Sequence, residues 1–368
     1  MRTRNNTKTI AMIFLIVAVA FAINIPAAHA KDSRKVIKLR CIAGHPDTAA
    51  PWVGLMKSFF VPELKKRVLE ETKDYDLDVS ENYGGSVAAL GECLESIESG
   101  IGDMGMVVWV FEMSKLHPQN STWWFPFGPE DTTLVLEAFR RTWDKFPFLD
   151  EMLERYNQKR IALCTLPSYE FVTNFPIQKL EDMKGKRIAH GGPMVPWAEA
   201  IGCVGVQSRL NEAYTALQTG VYDGWMMEPH ATVGFKLYEP APYYTIAGLG
   251  AGIPNCITMN LDTWNKLPKE VQKIVIDVGK AYEVAMAKYS ASNYYRQITY
   301  MATKGVTVRK LTKKEQKRFA AAMDEKLVAN AMAKDSDKSG YPGSEMAKFY
   351  VQTLIDLGYD WPVVPTIK

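Results

Sequence analysis

The chain has no cysteine pair in sequence. Its five cysteines, Cys41, Cys93, Cys164, Cys203 and Cys256, are scattered singly among 368 residues, and without a C-x-x-C neither a redox dithiol nor a cysteine-rich zinc site is expected. Cys41 and Cys164 lie inside apolar, strand-like runs and read as buried thiols, while a disulfide between some pair stays open. Histidine is equally sparse: His29, His45, His117, His190 and His230 each stand alone. There is no H-E-x-x-H and no G-x-S-x-G. Gly191-Gly192 lacks the third glycine and the ribose-binding acid of a dinucleotide loop. No metal, cofactor or catalytic residue is therefore expected.

An excess of charge is also missing. Lys and Arg total 44 against 41 Asp and Glu. Arg2, Arg4 and Lys8 fall in the first thirty residues with no acid beside them, so removing them leaves 41 of each sign. That balance excludes nucleic acid as a partner. Long hydrophobic runs are confined to one, residues 10–25. Basic residues precede it and Ala28-His29-Ala30 follows, the pattern of a cleavable secretion signal over residues 1–30. The alternative is an N-terminal membrane anchor. No Cys follows the run directly, so a lipoprotein is not expected. The expectation is a soluble periplasmic protein beginning near Lys31.

What remains is about 340 residues, enough for two domains, and 47% of the chain is hydrophobic. Residues 36–43 read as a strand and 52–71 as a helix that Pro62 must kink or restart. Residues 77–82 read as a strand, 88–99 as a helix closed by Gly100, and 103–110 as a buried parallel strand. This β-α-β-α-β order predicts an α/β sheet with right-handed crossovers. Residues 131–156 are mainly helical, and 160–166 and 170–174 extended. A second α/β unit follows to about residue 254, and 257–260 returns as a strand. Residues 269–304 hold no Pro and one interior Gly, with apolar positions at helical spacing. A helix that long reaches about 50 Å, and its stripe lacks the sustained heptads of a coiled coil. A last helix is expected at 345–357.

The stretch 180–229 reads LEDMKGKRIAHGGPMVPWAEAIGCVGVQSRLNEAYTALQTGVYDGWMMEP. It resembles the second-domain signature of the solute-binding proteins of TRAP (tripartite ATP-independent periplasmic) transporters. The matching residues are Asp182, Gly185, Ile188, Glu212, Tyr214, Ala216, Leu217, Gln218, Gly220, Val221, Asp223, Gly224 and Pro229. Phe125-Pro126-Phe127 is similar to the family's L-P-F, and Asn260, Trp264, Leu267 and Pro268 to its N-x-x-x-W-x-x-L-P. The resemblance implies a two-domain α/β periplasmic binding protein, with a ligand cleft between the domains and a long helix along both. The implied divisions are domain I over 31–165, domain II over 166–256, and a return strand, connecting helix and C-terminal helices over 257–368. It further implies a receptor, not an enzyme, that carries a small organic solute to the small and large integral membrane subunits of a TRAP permease. The competing readings are an ABC-type binding protein, against which the long helix argues, and a periplasmic enzyme, for which no convergent acid, base and nucleophile is found.

A receptor site forms in the loops at the carboxyl ends of parallel strands. Those loops supply the expected ligand-binding residues His45, Tyr83, Trp109, Tyr169, Glu170, His190, Gly191, Trp197, Trp225 and Glu228, while Trp52 fits core and cleft equally. One departure matters. Where the family carries its carboxylate-binding Arg, this chain has Ala189. Arg187 faces the same side of the strand but lies roughly 6–7 Å earlier. The family's second basic position falls near Tyr169 and Glu170. Two solutions stay open: an anion held by backbone N–H groups at 190–193, with His190 as a donor, or an amine-bearing or aromatic solute held by aromatic walls and by Glu170 or Glu228.

Overall fold

A computed structural model describes residues 34–368; the secretion signal expected over 1–30 lies outside the described residues. Two twisted sheets organise the chain. In the first, β1 (Lys35–Ala43) takes β2 (Tyr75–Asn82) on one side and β3 (Met104–Val108) on the other, all parallel. Helix α1 (Pro51–Leu55) and α2 (Val61–Glu71) connect β1 to β2. Between these helices, Met56–Phe60 forms one widened π turn. The reason is Pro62: it has no N–H, and its ring would clash with the Ser58 carbonyl in a regular turn. Helix α3 covers only Cys93–Glu98, shorter than the spacing predicts, because Gly91 at φ +88° breaks the run ahead of it.

Helices α4 (Thr132–Lys145) and α5 (Phe148–Glu154) lead to β4 (Gln158–Leu166). The chain then crosses to the second sheet, ordered β11-β9-β5-β8-β6-β7. Its strands are β5 (Glu170–Thr173), β6 (Arg187–His190), β7 (Val204–Gln207), β8 (Gly224–Met227), β9 (Tyr243–Ile246) and β11 (Thr307–Lys310). Between them lie α6 (Val195–Ala200), α7 (Leu210–Gln218) and α8 (Pro229–Gly234). Only β5 runs against its neighbours.

The chain returns to the first sheet as β10 (Gly252–Asn260), inserted antiparallel between β3 and β4. This strand starts earlier than residue 257 because a register shift between Gly252 and Asn255 absorbs Pro254, which cannot donate to a regular ladder. After α9 (Leu261–Lys266), helix α10 (Lys269–Thr303) runs unbroken for 35 residues. It packs on β4 and α4 of the first lobe and on α8 and β11 of the second. Gly279 lets it approach: a Cβ there would stand 2.3 Å from the Ile161 carbonyl oxygen. Glu283 accepts from the Arg140 guanidinium and from the Leu163 N–H, fixing α10 to β4. Helix α11 (Lys313–Glu325) follows β11. Helices α12 (Val328–Lys338) and α13 (Gly343–Asp356) pack on each other and back against α4 and the turn at Pro118–Trp124.

The crossing segments form a joined pair. Tyr169 N–H donates to Gly250 O at 3.1 Å, Leu249 N–H to Tyr169 O at 3.3 Å, and Gly250 N–H to Ser168 Oγ at 3.1 Å. All five cysteines are buried free thiols.

Candidate functional site

Both sheets end their parallel strands at one shared cavity. It encloses about 420 Å³, counting space open to solvent. The first lobe supplies His45 and Trp52 after β1, Val108, Val110 and Phe111 at the end of β3, Leu166 at the end of β4, and Pro254 and Asn255 at the start of β10. The second lobe supplies Tyr169 before β5, His190 and Gly191 at the end of β6, Leu210 opening α7, and Trp225 and Met227 on β8. Because β4 and β10 are antiparallel, the end of one meets the beginning of the other at the same sheet edge.

The walls are aromatic. His45 meets Trp52 edge-on at 5.1 Å, Tyr169 meets His190 at 5.7 Å, and His190 lies 6.4 Å from Trp225. Buried polar atoms without a hydrogen-bond partner cluster in the same wall: both ring nitrogens of His45, Nδ1 of His190, Nε1 of Trp52 and of Trp225, and Nδ2 and Oδ1 of Asn255. The Asn255 amide lies within reach of the soft Cys164 thiol. Unpartnered buried atoms also occur elsewhere, among them the indole nitrogens of Trp124, Trp143 and Trp361, but here seven of them line one cavity, where a guest could supply the missing hydrogen bonds. Burial lowers the His45 imidazole to about 4 and the His190 imidazole to about 3, because a buried ring resists taking on charge. Both rings are neutral at pH 7.

Five residues expected in the cleft thus meet in one cavity: His45, Tyr169, His190, Gly191 and Trp225. The other five stand elsewhere. Trp109 is core, stacked 5.9 Å from Trp143 with its indole N–H donating to Ile253 O at 2.6 Å; β3 ends before it, at Val108, and the chain turns it inward. Trp197 is buried 6.3 Å from Trp123. Tyr83 is half-buried, its hydroxyl donating to Glu81 at 2.7 Å. The two carboxylates are consumed by backbone. Glu228 caps α8, accepting from His230 N–H at 2.6 Å and Ala231 N–H at 2.8 Å, with His230 Nδ1 at 3.0 Å. Glu170 accepts from Ala247 N–H at 2.5 Å, Gly248 N–H at 2.8 Å and the Tyr294 hydroxyl at 2.6 Å. It clamps the second crossing segment to α10 rather than facing the cavity. Arg187 turns away to Asp223 at 2.9 Å. Ala189 is buried between Val206 and Trp225.

Trp52 and Asn255 are the wall residues with polar side-chain atoms that sequence spacing left unassigned. The signal for Asn255 was Pro254 beside it, which marks an irregular strand start rather than a loop.

The lobes also touch. A Cβ at Gly192 would lie 2.5 Å from Val110 O, and one at Gly234 2.3 Å from Ala49 O. Each pair joins the second lobe to the first. Among the described residues no helix is long and apolar enough to cross a membrane, and no group of three or more His, Cys, Asp or Glu could hold a metal.

Residues 61–335 match the family described as bacterial extracellular solute-binding protein, family 7 (DctP). The chain belongs to that family. Among relatives of this family 7 protein, a solute-binding protein of Sulfitobacter sp. (strain NAS-14.1) is 28% identical over 136 residues, 36% of this chain and 41% of that protein. The chain thus spans about two fifths of the length of the curated relatives it matches first. Solved structures share the fold. A TRAP solute-binding protein from Rhodoferax ferrireducens T118, in complex with copurified benzoate, superposes with a TM-score of 0.75 at 14% identity, covering 87% of this chain and 98% of the other. A TRAP periplasmic solute-binding protein from Sulfitobacter sp. NAS-14.1 with bound β-D-galacturonate gives 0.70 at 19% identity, covering 85% and 99%. The two-lobed α/β architecture and the long helix expected from the sequence are those of this family 7 fold.

Proposed function

We propose that this family 7 protein is a periplasmic receptor that closes its two lobes over one small organic solute and hands it, unaltered, to a TRAP membrane permease. One observation carries the reading: a cavity walled from both lobes, in which buried polar atoms converge without partners. A site of that kind is incomplete until a guest supplies the missing hydrogen bonds. Structural neighbours bind benzoate, galacturonate or pyroglutamate, which supports a solute of one ring. The expected sites of contact are His45, Trp52, Tyr169, His190, Trp225 and Asn255. Ala189 stands where the family's carboxylate-binding Arg is expected, so the solute is atypical for the family.

The test has two parts. A solute panel of acids, amides, amines and sugars is screened by thermal shift, and the hits are followed by small-angle scattering and mass spectrometry. A solute at a hundred times its Kd adds about 2.7 kcal/mol to stability. The expected hit contracts the protein and is recovered chemically intact, and proteoliposomes holding the permease take it up only when the loaded receptor is present. A hit that is converted to product, or uptake that ignores the receptor, would end this reading.

A further inference from the structure

No Asp, Glu, Lys or Arg is among the described residues lining the cavity. That is unusual for a site serving organic ions, because burying an ion without a partner costs several kcal/mol. Three acids adjoin wall residues in sequence and all are already committed: Glu112 to the Lys115 ammonium at 3.2 Å, Glu170 to two backbone N–H groups and a tyrosine, and Glu228 to the start of α8. None offers its carboxylate to an ammonium. An anion fares worse. The charge on Glu228 reaches the wall: after burial, it is the largest influence raising the Tyr169 hydroxyl above its usual value. Both wall histidines are held neutral by burial, so neither supplies a positive charge.

The orphaned atoms describe the complement instead. Trp52 and Trp225 can only donate. Neutral His45 offers one donor and one acceptor. Asn255 presents a donor and an acceptor side by side, the edge that pairs with another amide. Around these groups stand flat aromatic faces and the apolar side chains of Leu166, Leu210 and Met227. Resting on the receptor reading above, we infer that the cavity selects an uncharged, flat, ring-bearing solute with adjacent donor and acceptor atoms, such as an aromatic carboxamide or a lactam, over the carboxylate or amine of the same shape. Asn255 reads the amide edge, and the aromatic walls read the ring.

Matched probes test this without any variant. Benzamide, benzoate and benzylamine share one ring, as do nicotinamide and nicotinate. Calorimetric titration of the full mature protein at pH 7.5 is expected to show each amide binding at least tenfold tighter than its acid, and benzamide at least tenfold tighter than benzylamine. Asn255→Leu is expected to lose at least tenfold in amide affinity, while Asn255→Asp, which sets a carboxylate beside the guest, narrows the gap between benzamide and benzylamine. An acid or amine that binds as tightly as its amide overturns the inference and leaves the receptor reading standing. So does a panel in which none of these probes binds but a charged solute contracts the protein. If no solute of any charge contracts it, both readings fall together.

Discussion

Gly234 offers a direct test of lobe closure. It ends α8 in the second lobe, and its backbone is not in the left-handed region, so alanine suits its own conformation. The obstacle lies across the gap. A Cβ at 234 would stand 2.3 Å from the Ala49 carbonyl oxygen, 3.1 Å from its carbon and 3.2 Å from its Cα. Ordinary contact begins about an ångström further out, and a backbone carbonyl cannot swing aside as a side-chain tip would. Gly234→Ala must therefore part the lobes or strain them. Overpacking by one methyl costs about 1–3 kcal/mol, and if the Gly234–Ala49 contact belongs to the closed form of the proposed receptor, the cost falls on that form alone. The closed-to-open ratio then drops about 5- to 150-fold, and the apparent Kd rises by up to that factor. The assay is titration of the tightest solute from the panel, with small-angle scattering to follow contraction. The expected variant binds more weakly and stays larger in radius at a solute concentration that saturates the wild type. Unchanged affinity would refute the claim that the Gly234–Ala49 contact belongs to the closed form.

Glu170 gives a pH signature. Burial pushes its carboxyl up to about 7, against the hydrogen bonds from Tyr294 and Gly248 that pull it down. The folded value exceeds the unfolded one, so its contribution to stability is full below the ordinary value near 4.5 and is lost as pH rises through about 7. Relative to Glu170→Gln, the wild type should lose about 2–3 kcal/mol between pH 5 and pH 8 in urea unfolding; parallel curves would count against it. His45 and His190 move the other way: their folded values are depressed, so their contribution holds above 6.5 and fades as pH falls toward 4 and 3. Both rings stay neutral at pH 5, so benzamide affinity should be flat between pH 8 and pH 5, and a tenfold change across that range would contradict their neutrality. The thiols of Cys41, Cys93, Cys164 and Cys203 are pushed up to about 12 by burial, with Cys256 also raised. Iodoacetamide should therefore leave all five unmodified in the folded protein and alkylate all five in urea, as counted by mass spectrometry.

Much of the architecture was legible because periodicity survives wherever an element is long. The 35-residue α10 and the strands β1, β3 and β4 follow from apolar spacing alone. Short pieces are harder. Helix α3 lost its first turn to a positive-φ glycine, and β10 hid its beginning behind Pro254. Helices α11 and α12 were not singled out, since both are dominated by charged and small residues whose pattern emerges only against the body they cover. The site divides in the same manner. Naming loops at strand ends brought His45, Tyr169, His190, Gly191 and Trp225 into view. It could not say which aromatic turns inward: Trp109 just after β3 stacks on Trp143, while Trp225, inside β8 rather than in the loop after it, faces the gap. Nor could composition tell a carboxylate free for a guest from one engaged by backbone N–H groups. Glu170 and Glu228 differ from solvated acids only in neighbours that tertiary folding brings near.

Tyr169 sits in two places at once. Its main chain is bonded to Leu249 and Gly250 where the polypeptide passes from lobe to lobe, and its ring lines the chamber. If the lobes close as proposed, whatever presses on that ring presses on the junction between them. A larger cargo would stop the jaws at a wider angle, so the same residue that touches the cargo would report its bulk to any membrane partner sensitive to how far the jaws have shut.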